Sequence, residues 1–179
     1  LSADSRAGFD GAQKIGVGSS AAVCAASTAA LLRLCGSAAP VVDIAQRAHA
    51  HAQGGRGSGL DVAAACAGGF ICFERTRDTA ARQLSFPENV RFATVFTGTS
   101  AATTDHLARY DRWCAGAIPQ PLQNLMDAAS AVAAAVPEAE AFMRQLCAYI
   151  RALQQLDDAA DLGIYTDAHR KLTRLGTAC

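Results

Sequence analysis

Charge imbalance is missing from this sequence: 16 Lys and Arg meet 16 Asp and Glu across 179 residues, with no basic run or tail. Duplex nucleic acid and anionic membrane surfaces both select for clustered positive charge, so neither is an expected partner. Long apolar runs are missing too. Ser, Thr or Arg interrupts each one well short of the roughly 20 residues a membrane-spanning helix needs, and the chain reads as soluble. No C-x-x-C pair occurs among Cys24, Cys35, Cys66, Cys72, Cys114, Cys147 and Cys179. An odd number of cysteines scattered over helix-like and strand-like segments suits buried thiols in a reducing cytoplasm better than a disulfide framework or a zinc site. No G-x-x-x-x-G-K-[ST] occurs, which removes the Walker A loop. The first residue is Leu1 rather than methionine, and the expectation is an incomplete or processed chain.

What is present reads as alternating punctuation and helix. A chain of this length holds one sizeable core or two small ones. Leu1–Phe9 reads as a strand end or extended lead-in, and Ala21–Cys35, apolar nearly all round, as a buried helix stopped by Gly36. Pro40 suits a first helical position, after which Val41, Ile44, Ala45, Ala48 and Ala52 share one face of a helix to about Gln53. A third, short helix is predicted from Ser58 or Gly59 to Gly68-Gly69. Phe70–Arg75 and Val90–Thr97 have strand character, separated by a polar stretch containing Pro87. Helical patterns follow at Thr104–Trp113, Leu122–Val136 and Glu138–Asp158. Leu122, Leu125, Met126, Ala129, Val132, Ala133 and Val136 form one apolar stripe, and Phe142, Leu146, Ile150, Leu153 and Leu156 another, both expected as core.

Chemistry concentrates where two loops enter helices. Lys14-Ile15-Gly16-Val17-Gly18-Ser19-Ser20-Ala21-Ala22 brings glycines and two hydroxyls to the start of a buried helix. Free amides and the positive end of the helix dipole converge there and stabilise a phosphate without any side-chain charge. Ser19 and Ser20 can cap the helix, contact a phosphate oxygen or ligate magnesium; by spacing alone the run is equally an ordinary N-cap turn. Asp61, near the start of the third helix, is by itself an N-cap candidate. His49 and His51 stand two apart on a helix and point to different sides, so they do not readily share a metal, and a packing or solvated role is the simpler reading. Arg56, in the glycine loop, is a phosphate contact or a solvated arginine.

Gly-Val-Gly-Ser-Ser-Ala-Ala at residues 16–22 resembles the nucleotide-phosphate loop of the GHMP kinases. Gln53-Gly54-Gly55-Arg56-Gly57-Ser58-Gly59-Leu60-Asp61-Val62-Ala63-Ala64-Ala65, ending in Gly68-Gly69, is similar to that superfamily's second active-site segment, most of all in its phosphomevalonate kinase form. Phe96-Thr97-Gly98-Thr99-Ser100-Ala101-Ala102-Thr103 looks more loosely like the stretch that opens the second domain in that branch.

The resemblance implies an α+β, two-domain fold: residues 1–89 as the remainder of the N-terminal domain, and 90–179 as the start of a ferredoxin-like, helix-rich C-terminal domain. It implies ATP and Mg2+ as cofactors and a small-molecule phosphate acceptor as partner, with a homodimer left open as the assembly. Asp61 takes the role of catalytic carboxylate and Lys14 that of a phosphate-binding partner to it. Gly16, Gly18, Ser19, Ser20 and Ala21 line the nucleotide phosphates, with Ser20 the magnesium contact, and Ser58, Gly59, Ser100 and Thr103 face the acceptor. Some relatives carry a magnesium-binding glutamate on the second helix, but Ala48–Gln53 contains no acid.

The expected activity is phosphorylation of phosphomevalonate to diphosphomevalonate. The alternatives are a GHMP kinase for mevalonate, a sugar or homoserine, or a non-catalytic member that binds a metabolite. The superfamily's opening stretch and its closing Gly-Ala-Gly-Gly-Gly-Asp-like loop are not among these residues, which again leads to the expectation of an incomplete chain.

Overall fold

In the computed structural model, which describes residues 4, 6–11, 13–55, 57–74, 80–98 and 103–175, a 3-10 turn at Arg6–Gly8 leads into a minimal antiparallel hairpin. Its strands are β1 (Phe9–Asp10) and β2 (Gln13–Lys14), with Phe9 opposite Lys14 and Asp10 opposite Gln13. The extended lead-in expected before Phe9 is therefore partly a turn. The Ile15 N–H donates to the Gly8 carbonyl at 3.0 Å, closing the base of the hairpin just ahead of the first long helix. The chain forms two units, Leu1–Leu84 and Ser85–Cys179, where the sequence set its division near Asn89.

Three helices make the body of the first unit: α1 (Ser19–Leu34), α2 (Val41–Ala52) and α3 (Leu60–Ala67). Each begins and ends close to the glycine or proline that punctuates it. Ala21, Ala45 and Val62, one from each helix, are fully buried and meet as a core, with Cys24 and Cys66 packed at its margin. Two of the three are alanines, so the helix backbones approach closely and Val62 supplies most of the transfer energy, about 2 kcal/mol.

α1 is less buried than its apolar character predicts. The helices that cover it are shorter, 12 residues in α2 and 8 in α3 against 16 in α1. Leu31 and Leu34, at its far end, accordingly stay 49% and 76% exposed. α2 is also rotated from the expected stripe: its buried residues are Ala45 and His49, while Ala48 and Ala52 face solvent. Exposing an alanine forfeits little, so alanines do not fix which way a helix faces.

β3 (Phe70–Glu74) pairs antiparallel with β4 (Ala80–Leu84), Phe70 opposite Leu84 and Glu74 opposite Ala80. The first of these strands was legible; β4 lies in the stretch read as a polar connection. Val90–Thr97, expected as a strand, is irregular. Strand composition alone does not make a strand without a neighbouring backbone to pair with. A cleft of about 500 Å³ lies between α2, α3 and this hairpin, lined by Val42, Gln46, Ala63, Cys66, Phe73 and Ala81 among others.

The second unit contains α4 (Thr103–Cys114), α5 (Gln120–Ala135), α6 (Ala139–Ala160) and α7 (Asp167–Leu175), and no strand among its described residues. The ferredoxin-like sheet expected here is not formed by them. Val136–Glu138 joins α5 to α6 as a short helical hairpin. Glu138 is the N-cap of α6, its carboxylate accepting from the Glu140 and Ala141 amides at 3.1 and 2.7 Å.

Leu156, Ala160 and Leu162 form a buried cluster against Tyr110, Trp113, Leu122, Leu125 and Leu153. Buried Asp157 ties the next turn down, accepting from the Ile164 and Tyr165 amides at 2.8 and 2.9 Å. His106 Nδ1 lies 2.8 Å from the Leu162 carbonyl, which can only accept, so that nitrogen carries the proton.

Helices with two small antiparallel hairpins give the mixed character expected of an α+β chain. No helix among the described residues is long and apolar enough to cross a membrane. Cys24, Cys35, Cys66, Cys72 and Cys114 are free thiols, Cys35 of them exposed, while Cys147 is disulfide-bonded. The reading of the cysteines as buried thiols is corrected at Cys35 and Cys147; Cys24, Cys66, Cys72 and Cys114 are free but only half-buried, and Cys179 lies outside the described residues.

Candidate functional site

α1 opens on Gly18, whose φ of 70° and ψ of 25° are left-handed, a conformation that costs a side-chain-bearing residue about 1–2 kcal/mol. Ser19 and Ser20 follow inside the helix, so neither serves as its cap. Among the described residues no side chain accepts from the first amides, and the first turn contains no acid. Those amides have no partner within the helix and carry the positive end of its dipole, the arrangement that stabilises an anion. Beyond Gly16 and Gly18 nothing lies within 4 Å of where a Cβ would stand, so a ligand can reach the backbone. Ala21 is fully buried and can take part only through its amide.

α3 opens the same way, on Gly59 with φ 78° and no side-chain cap. A Cβ there would come within 3.0 Å of Gln46 Nε2, and that amide donates to the Gly59 carbonyl at 3.2 Å, tying α2 to the start of α3. Ser58 is exposed, its hydroxyl accepting from the Leu60 N–H at 3.3 Å. Asp61 stands one residue into the helix and is not its N-cap. Its Oδ1 accepts from the Val62 N–H at 2.9 Å, and its side chain remains 44% exposed.

The link between the two helix starts is His49. Its imidazole is buried on the inner face of α2, with Nε2 3.4 Å from Ser20 Oγ and Nδ1 3.7 Å from Asp61 Oδ2. The hydroxyl of the glycine-serine turn and the carboxylate of the Gly-Ser-Gly-Leu-Asp segment therefore meet the same ring. His51 is exposed, so the two histidines do point apart. Sequence reasoning left His49 without a role. The signal was its place four residues after Ala45, on the face that Ala45 buries.

The other predicted residues are less gathered. Lys14 lies in β2 opposite Phe9, and its side chain is not among those described. Thr103 begins α4 in the second unit, while Ser100 and Arg56 fall outside the described residues. Among the described residues no group of three or more His, Cys, Asp or Glu is placed to hold a metal. Burial, and secondarily the neighbouring Cys24, push the Cys66 thiol above its ordinary pKa, which lowers the share of it present as thiolate.

An open amide-rich turn, a hydroxyl beside it and a part-exposed carboxylate are the parts expected where a phosphate is bound and an acceptor is oriented. Residues 10–69 match the family described as GHMP kinases N terminal domain, which covers both helix starts and His49. Over those residues the chain is similar to that domain. No curated protein and no solved structure gives a significant match.

Proposed function

We propose that this chain carries the phosphate-binding turn and catalytic carboxylate of an ATP- and magnesium-dependent small-molecule kinase acting in the cytoplasm. Phosphomevalonate is the leading acceptor and diphosphomevalonate the product. The observation that carries the reading is the meeting of Ser20 and Asp61 on one imidazole, at the starts of two helices that both open on a left-handed glycine. Phosphoryl transfer asks a protein mainly for position and charge neutralisation, and this arrangement offers both. The acceptor assignment rests on the form of the Gln53–Ala65 segment, which is most like the phosphomevalonate kinase branch.

In this reading the Gly16–Ala21 turn cradles the nucleotide phosphates through its amides, and Ser19 adds its hydroxyl. Ser20 offers an oxygen to magnesium, which when bound neutralises phosphate charge. Magnesium keeps several waters and needs few protein oxygens, so the sparse donor set is compatible with it. Asp61 orients the acceptor oxygen and takes its proton, Lys14 faces a phosphate, and Ser58 and Gly59 contact the acceptor.

The test is ADP release by the full encoded protein with phosphomevalonate, mevalonate, sugars and homoserine in parallel. Asp61→Asn is expected to lower turnover by about 100-fold or more while nucleotide affinity changes by less than about threefold. ADP release with none of the acceptors, or an undiminished rate in Asp61→Asn, rejects the kinase. Turnover of another acceptor alone rejects the phosphomevalonate assignment.

A further inference from the structure

His49 is 7% exposed, and its two ring nitrogens face Asp61 and Ser20. A neutral imidazole offers one N–H and one lone pair. The Asp61 carboxylate, when ionised, can only accept; although 3.7 Å lies beyond direct hydrogen-bond reach, its charge favours the proton on Nδ1, the nitrogen that faces it. Nε2 is then the acceptor, and Ser20 Oγ, 3.4 Å away, must donate its single proton to it. A hydroxyl whose proton is turned inward presents its lone pairs outward. It is then a ligand for a cation and a poor hydrogen-bond donor to a phosphate oxygen.

We infer that His49 is a positioning residue: its tautomer, set by Asp61, turns the Ser20 hydroxyl into an outward-facing oxygen ligand for a divalent cation and steadies the Asp61 carboxylate. The inference rests on the kinase reading for what these groups act upon, but the orientation itself is a property of the protein alone. It narrows the three roles open to Ser20 to one. It also accounts for a buried, polar residue on a helix otherwise packed by alanine. The Oδ1 oxygen of Asp61 is already held by the Val62 amide, so with His49 facing Oδ2 both carboxylate oxygens are addressed.

The experiment uses the full encoded protein, its His49→Ala, His49→Asn and His49→Gln variants, and three readouts. The first is long-range 1H–15N NMR of the imidazole at neutral pH, expected to show a protonated Nδ1 and an unprotonated Nε2. The second is ADP affinity with and without magnesium. His49→Ala is expected to weaken the magnesium-dependent gain about 10–100-fold and to leave magnesium-free affinity within about threefold. A glutamine can place its carbonyl near the former Nε2 position, so His49→Gln is expected to recover much of that gain, and the shorter His49→Asn little of it. The third is turnover, where His49→Ala lowers kcat and leaves KM for the acceptor nearly unchanged.

The opposite tautomer overturns the inference, as does an unchanged magnesium dependence in a folded His49→Ala or, should that variant not fold, in His49→Asn. Modification of Ser20 by a fluorophosphonate that depends on His49 also overturns it, since the ring would then be activating a nucleophile. Wild-type protein that shows the expected tautomer and magnesium effect but phosphorylates no acceptor supports the positioning role and removes the kinase.

Discussion

Gly8 and Ser19 approach so closely that a Cβ on Gly8 would stand 2.7 Å from Ser19 Cβ and 3.0 Å from its Oγ. The hairpin base is thus pressed directly against the first residue of α1. Gly8→Ala forces one of them to move, at a cost of about 1–3 kcal/mol for overpacking. The expected outcome is a lower denaturation midpoint together with weaker nucleotide binding, read by urea titration and by ADP affinity. A variant as stable and as tight as the parent would show that the turn and the hairpin are not coupled.

Asp157 is expected to matter for stability and not for ligand binding. Its buried carboxylate accepts two backbone amides, from Ile164 and Tyr165, at the turn that follows α6. Asp157→Ala leaves both donors without a partner, which costs about 1–3 kcal/mol each at most and less if water enters. Chemical denaturation should register the loss, and ADP affinity should stay unchanged.

The α6 cap predicts a pH dependence with a definite sign. Hydrogen bonds from the Ala141 and then the Glu140 amides hold the Glu138 carboxyl below its ordinary pKa. A folded-state pKa lowered in this way adds stability that is fully present above the unfolded value, about 4.3, and is lost as pH falls through the folded value. The melting temperatures of the parent and Glu138→Ala should therefore differ at neutral pH and converge below about pH 4. A constant gap from pH 7 to pH 3 would refute the cap.

Thiol reactivity should rank the cysteines of the first unit. Cys35 is exposed, whereas burial raises the Cys66 pKa and the ring of helices around Val62 limits access to it. Iodoacetamide at pH 8, followed by peptide mass mapping, is expected to label Cys35 well before Cys66. Equal rates would mean that the cleft beside α3 admits the reagent to Cys66 freely.

The positions of α1 and α3 were legible because glycine has a backbone reason to stand at each start. Gly18 and Gly59 are both left-handed, and the serine or aspartate beside them announces the chemistry. His49 was not legible, because an alanine-rich helix gives only a weak signal for its inner face: Ala48 and Ala52 fit the apolar stripe yet lie outside. Strand β4 was missed for a related reason. Ala80-Ala81-Arg82-Gln83-Leu84 has no alternation of apolar and polar residues, and its identity comes from the register with Phe70–Glu74. Val90–Thr97 shows the converse, with Phe92 left 79% exposed and resting edge-on to Phe86 at 5.4 Å.

The uncapped start of α1 ties folding to occupancy. A helix that begins on glycine, with no carboxylate or hydroxyl of its own to quench its leading dipoles, sits below the stability its length would allow. A bound polyphosphate would lend the missing charge, and any affinity confined to the native state appears directly as resistance to unfolding. The melting temperature of this protein should therefore rise with the concentration of any anion that binds at Gly18.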